Sequence, residues 1–201
     1  MRKFTAFVTL ALLLSASSAF AGRGFPLALG GFTLGENVHE YASCCDLKLA
    51  SPMPDSPFLT EMHLKPDFLD GVRGGSLTYA NCKEKDKLVR IKLKFHNRGQ
   101  ALFEDLLARY KAAFGDPDSY QGDTFRNVIA WQWDFTKGDR RVSVLLMWSR
   151  DKETRPGVSI KMTLESAMDA EYACFRERMD QLEKKRGGPS KIKDLNAFVP
   201  R

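Results

Sequence analysis

Between Gln100 and Leu164 the apolar positions change period, and each period predicts a different element. Leu102, Phe103, Leu106, Leu107, Tyr110, Ala113 and Phe114 recur every three or four residues, one stripe of an amphipathic helix. Glu104 and Asp105 lie toward its start and Arg109 and Lys111 toward its end, the order that complements the helix dipole. Gly115 and Pro117 predict its stop. After it, Ile129, Trp131, Trp133 and Phe135 alternate with polar or small residues, as do Val142, Val144, Leu146 and Trp148, and then Val158, Ile160, Met162 and Leu164. This period of two predicts three half-buried strands. A tight turn at Lys137-Gly138 would set Trp133 opposite Val142, Trp131 opposite Val144, Ile129 opposite Leu146 and Asp134 opposite Arg141. A longer loop, Ser149 to Gly157, would set Trp148 opposite Val158 and Leu146 opposite Ile160. The three strands then share one apolar face, on which the helix packs.

The chain before Gln100 follows a weaker version of the same plan. Gly30-Gly31 reads as a turn, and Val38, Tyr41, Ala42 and Cys45 fall on one side of a short helix. A Pro-rich loop, Ser51 to Pro57, precedes a strand from Leu59 to Leu64, and a hairpin pairs Ser76–Cys82 with Leu88–Phe95. In its second arm Val89, Ile91, Leu93 and Phe95 are expected on one face and Arg90, Lys92 and Lys94 on the other. A last helix, Ser166 to Lys185, carries Met168, Tyr172, Phe175, Met179 and Leu182 at coiled-coil spacing and stops at Gly187-Gly188-Pro189. Docking on the body is expected for that stripe.

The expected fold class is therefore α+β, two helix-plus-antiparallel-meander halves (22–98 and 99–165) followed by a C-terminal helix (166–186) and a basic tail (187–201). Helix then three strands, twice, suggests a tandem αβββ repeat. The run Phe114-Gly115-Asp116-Pro117 followed by Trp131-Gln132-Trp133-Asp134-Phe135 resembles the small lipoproteins of outer-membrane assembly, whose fold is also found, duplicated, in the β-lactamase inhibitor protein. That resemblance implies a protein-binding sheet. The chain departs from the lipoproteins in having no cysteine near residue 22, where a lipid would be expected, so lipid anchoring is not expected.

Composition adds a compartment. Arg2 and Lys3, the apolar run Phe7 to Leu14 and the small-residue end Ala19-Phe20-Ala21 read as a signal peptide, residues 1–21, cleaved after Ala21. The run is too short for a permanent span, and no later segment is apolar enough to cross a bilayer. A periplasmic or secreted protein is expected. The formal net charge of +6 falls by two with the leader. In that compartment nucleic acid is not an expected partner. An envelope protein or an anionic envelope polymer is, with Arg90, Lys92, Lys94 and Lys161 on the sheet, or Lys184, Lys185 and Arg186 at the tail, as the contact surface.

Four cysteines in an oxidising compartment predict two disulfides. A Cys44-Cys45 bridge would strain adjacent residues, so one of these is expected to join Cys82 and the other Cys174. No C-x-x-C, no G-x-S-x-G and no phosphate-binding glycine loop is present. His39, His63 and His96 show no metal-ligand spacing, so neither metal nor cofactor is expected. The function expected from the sequence is non-enzymatic binding in the cell envelope, as an adaptor or inhibitor. Two alternatives stand beside it: a small hydrolase using His63 and a nearby carboxylate, and a glycan or peptidoglycan binder using Trp131, Trp133 and Trp148 as a stacking platform.

Overall fold

A computed structural model describes residues 24–45, 47–66, 68–151, 156–187 and 192–200. The expected leader, 1–21, lies outside the described residues. In chain order the strands are β1 (Ala28–Leu29), β2 (Phe32–Thr33), β3 (Ser51–Met53), β4 (Ser56–His63), β5 (Val72–Ala80), β6 (Leu88–Phe95), β7 (Ser119–Tyr120), β8 (Val128–Lys137), β9 (Arg140–Ser149) and β10 (Gly157–Leu164). The helices are α1 (Gln100–Phe114) and α2 (Glu165–Lys185). Strands β1 and β2 form a small hairpin, and the other eight form one antiparallel sheet in the order β3-β4-β5-β6-β10-β9-β8-β7. The α+β class holds. The two meanders, β4-β5-β6 and β8-β9-β10, meet in the middle of the sheet, where β6 pairs with β10.

One sheet face carries the main core. Ile91 and Leu93 of β6, Trp133 and Phe135 of β8, Val142, Val144 and Leu146 of β9, and Val158, Ile160 and Met162 of β10 are all buried in a single cluster. Helix α1 covers it with Phe103 buried and Leu106, Leu107, Tyr110 and Phe114 packed against it. Two tryptophans fix the ends of that helix: the Trp133 indole N–H donates to the Gly115 carbonyl at 2.9 Å, and that of Trp148 to the Arg98 carbonyl at 3.0 Å. A buried indole needs such an acceptor, and the helix termini leave carbonyls and flanking backbone to supply it.

Several expectations need correction. The β8–β9 register sets Trp133 opposite Val144, Trp131 opposite Leu146 and Ile129 opposite Trp148, two residues from the expected pairing. Lys137 pairs with Arg140, so the turn is Gly138-Asp139, with Gly138 at φ +61° in the first central position. The expected register left no residue for the turn, and a shift of two keeps every side chain on its face. Asp134 therefore faces Ser143, while Arg141 forms an ion pair with Asp169 of α2. The β9–β10 pairing, with Trp148 opposite Val158 and Leu146 opposite Ile160, is as expected. In the first half the expected helix is a single 3-10 turn, Val38–Tyr41, capped by the Asn37 side chain accepting from the His39 amide. Part of the Pro-rich loop is the edge strand β3, where Pro52 costs no interior ladder bond. A register shift opposite Thr78 and Tyr79 turns Val89 away from the main core, and Leu88 replaces it there.

Val89 joins Leu59 and Ala80 in a second cluster on the other sheet face, covered by Ala167 and Met168 of α2. The expected apolar stripe of α2 only partly docks. The Phe58 ring lies 5.5 and 5.8 Å from those of Tyr172 and Phe175, but Tyr172, Met179 and Leu182 are all exposed. The helix is held instead by a neighbouring stripe at i, i+3 and i+7. The Glu171 carboxylate, 1% exposed, accepts from the amides of Cys82, Lys83 and Glu84 at 2.6, 2.8 and 2.7 Å. Cys174 bridges to Cys82, and Arg178 donates to the Cys82 carbonyl at 2.9 Å. Cys82 lies two residues beyond Ala80, which packs in the cluster under α2, and it meets Cys174 on that side of the sheet. Cys44 and Cys45 thus take neither expected partner and are free thiols.

Candidate functional site

Helix α2 covers only one end of the second sheet face. The register shows what the rest presents. Lys92 of β6 lies opposite Lys161 of β10, which lies opposite Leu145 of β9; one step along, Lys94 lies opposite Ser159 and Ser159 opposite Met147. These two rows form the floor of a groove of about 190 Å³ whose rim is Arg73 and Pro156. Among the described residues, its lining includes the four cations Arg73, Lys92, Lys94 and Lys161 and no acidic side chain.

The local sequence explains the placement. Strand β5 enters the sheet at Val72 and shifts register at Gly74, which carries Arg73 over the end of β6. Gly75 then runs so close to β6 that a Cβ there would collide with the Lys92 carbonyl oxygen. Arg73 is fixed on both sides: its Nε donates to the Phe95 carbonyl at 3.1 Å and its Nη2 to the Pro156 carbonyl at 2.9 Å. Burial, and then the nearby Arg98 guanidinium, lower its pKa from the usual arginine value, yet a guanidinium keeps its charge. Lys92 and Lys161 face each other across an antiparallel pair, where like charges repel.

Of the expected contact residues, the structure brings Lys92, Lys94 and Lys161 together in this groove. Arg90 sits one step nearer α2, its Nε donating to Thr163 Oγ1 at 3.3 Å. Lys184, Lys185 and Arg186 are exposed at the far end of α2 and do not line the groove. Arg73, Leu145, Met147 and Ser159 were not expected there. Leu145 and Met147 did leave a signal, because they are apolar residues in the polar phase of β9. Arg73 left none, because the glycines around it read as a turn rather than as a strand with a bulge.

The other expected chemistries find different settings. His63 is exposed, opposite Ser76 at the end of β4, and does not line the groove. Trp133 and Trp148 are buried in the main core and Trp131 is half-buried against the Tyr120 ring at 4.9 Å, so the three indoles present no common open face. Among the described residues, no group of three or more His, Cys, Asp or Glu side chains is placed to hold a metal ion, and no helix is long and apolar enough to cross a membrane. Compared with protein-family models, with curated proteins and with solved structures, the chain matches none.

Proposed function

We propose that this chain is a non-enzymatic binding protein that receives an acidic segment of a partner protein in the groove between Arg73, Lys92, Lys94 and Lys161. The observation that carries this reading is the convergence of four cations from three strands over an apolar floor of Leu145 and Met147. A polyanion would be served by an extended line of charge. A short acidic segment with one apolar side chain suits a local patch with a greasy floor, and charge complementarity of this kind gives specificity and a fast, salt-sensitive approach. An exported setting in the cell envelope fits the Cys82–Cys174 bridge, which persists in oxidising compartments. The two meanders that meet at β6 and β10 also support descent from a duplicated αβββ unit whose first helix has shrunk to the turn Val38–Tyr41.

Binding of fluorescently labelled acidic peptides, with and without an apolar residue, tests the reading by anisotropy. Replacing Lys94→Glu together with Lys161→Glu should weaken binding by about 10- to 100-fold, on the scale of 1 to 3 kcal/mol for two reversed charges at an interface. Raising salt should weaken the native interaction. Replacing Lys184, Lys185 and Arg186 by Ala should change it little. Equal binding of a neutral peptide, or of anionic glycans in preference to peptides, would reject the proposal.

A further inference from the structure

The two cysteines left outside the Cys82–Cys174 bridge are not isolated from each other. Cys44 and Cys45 are 1% and 2% exposed, and their sulfurs lie 3.3 Å apart. A disulfide bond is about 2.05 Å long, so little more than an ångström separates the pair from bonding distance. Both residues belong to a segment outside the regular sheet. It is held by the Cys44 carbonyl accepting from the Lys65 amide at 2.8 Å, a bridge between Cys45 and Leu64, and the Thr33 amide donating to the Tyr41 hydroxyl at 2.9 Å. The Cys44 thiol donates to the Tyr41 carbonyl at 3.0 Å. Cys44 and Cys45 lie in the turn between the 3-10 segments Val38–Tyr41 and Leu47–Leu49, and such turns, with few ladder bonds, open more readily than sheet strands, which gives a reagent access to otherwise buried sulfur.

From this geometry we infer that Cys44 and Cys45 are a reversible redox site that closes to a vicinal disulfide by exchange with a low-molecular-weight disulfide such as oxidised glutathione. The inference is independent of the groove. On opening of the segment, one thiol gives its proton to solvent and its sulfur attacks glutathione disulfide, breaking that S–S bond and releasing one glutathione thiolate. The second cysteine, deprotonated in turn, attacks the protein sulfur of the mixed disulfide. The Cys44–Cys45 bond forms as the second glutathione leaves. Two protein thiols lose two electrons and one glutathione disulfide gains them.

Two features set the character of the site. Adjacent residues have Cα atoms about 3.8 Å apart, short of the roughly 4.4 Å minimum for an ordinary bridge, so the closed ring is strained and easily reduced. The Cys82 and Cys174 Cα atoms, 5.9 Å apart, meet the ordinary requirement. Burial, with the neighbouring Cys44 adding to it, pushes the Cys45 thiol up to about 12, so exchange is slow in the packed state and gated by opening. The expected order of reduction is therefore Cys44–Cys45 first, with the two equilibria separated by at least about 100-fold.

The test is a redox titration of the intact protein in glutathione buffers, approached from reduced and from oxidised starts until the populations coincide. Quenching with acid, alkylation in denaturant and peptide mass spectrometry then read each cysteine. The expected result is a Cys44-Cys45 peptide lighter by two hydrogens in oxidising buffer, reverting to two alkylated thiols in buffers that leave Cys82–Cys174 closed. The Cys44→Ser variant should yield only a glutathione adduct at Cys45. A native pair that stays dithiol at every poise at which Cys82–Cys174 is closed, or that carries single glutathione adducts, or that bonds to Cys82 or Cys174, overturns the inference, as does the opposite order of reduction.

Discussion

At the scale of single residues, burial of titratable side chains in the main core has a measurable cost at high pH. Tyr110 faces the Trp133 and Phe114 rings at 5.4 and 5.7 Å, and burial pushes its hydroxyl from about 10 up to about 12. Between those values the native state keeps a proton that the unfolded chain has lost. The contribution is therefore complete below pH 10 and is lost as pH rises toward 12, by about 1.4 kcal/mol per pH unit for one group. Cys45, raised in the same direction from 9.0, adds a loss of the same sign. Tyr110→Phe should flatten the fall in urea-unfolding free energy between pH 10 and 12 without abolishing it, because Cys45 still titrates. An unchanged slope would mean that Tyr110 ionises in the native state as it does in water.

At the scale of elements, α2 shows how a helix can be held by a polar stripe beside the apolar one its sequence advertises. The buried carboxylate of Glu171 satisfies three consecutive amides of the β5–β6 loop, and hydrogen bonds to a charged group contribute about 1.5 to 3 kcal/mol each in favourable settings. Glu171→Gln keeps the shape but removes the charge and turns an amide N–H₂ toward backbone N–H donors. A loss of about 2 to 4 kcal/mol in urea unfolding is the expected outcome, with faster hydrogen exchange at the amides of Cys82, Lys83 and Glu84. A change below about 0.5 kcal/mol would show that the disulfide and Arg178 hold the loop without the Glu171 carboxylate.

At the scale of the whole molecule, the two meanders share one core. Phe32, Leu88 and Ile91 of the first half lie in the same buried cluster as Phe103, Trp133 and Ile160 of the second, and β6 has β10 as its neighbour. Neither half can bury its apolar face without the other. A fragment ending at Arg98 should lack near-ultraviolet circular dichroism and unfold without a cooperative transition. A cooperative transition would establish the first half as a domain of its own. The groove is a product of the same arrangement, because its floor is assembled from β6 of one half and β9 and β10 of the other.

Much of this was legible in the chain. The helix Gln100–Phe114, the strands β8, β9 and β10, and their shared apolar face follow from periods of 3.6 and 2, which are local properties of backbone geometry. Lys92, Lys94 and Lys161 were legible as residues of the opposite face for the same reason. Period cannot report a register shifted by two, which leaves every side chain on its own face, nor a bulge that turns Val89 over. It also cannot pair cysteines, since Cys82 and Cys174 are 92 residues apart and meet only because α2 crosses the second sheet face. Nor can it say which part of a polar face α2 leaves uncovered. That was decided by where α2 stops covering the sheet and by the bulge that brings Arg73 over β6, both long-range packing outcomes in which distant segments compete for the same surface.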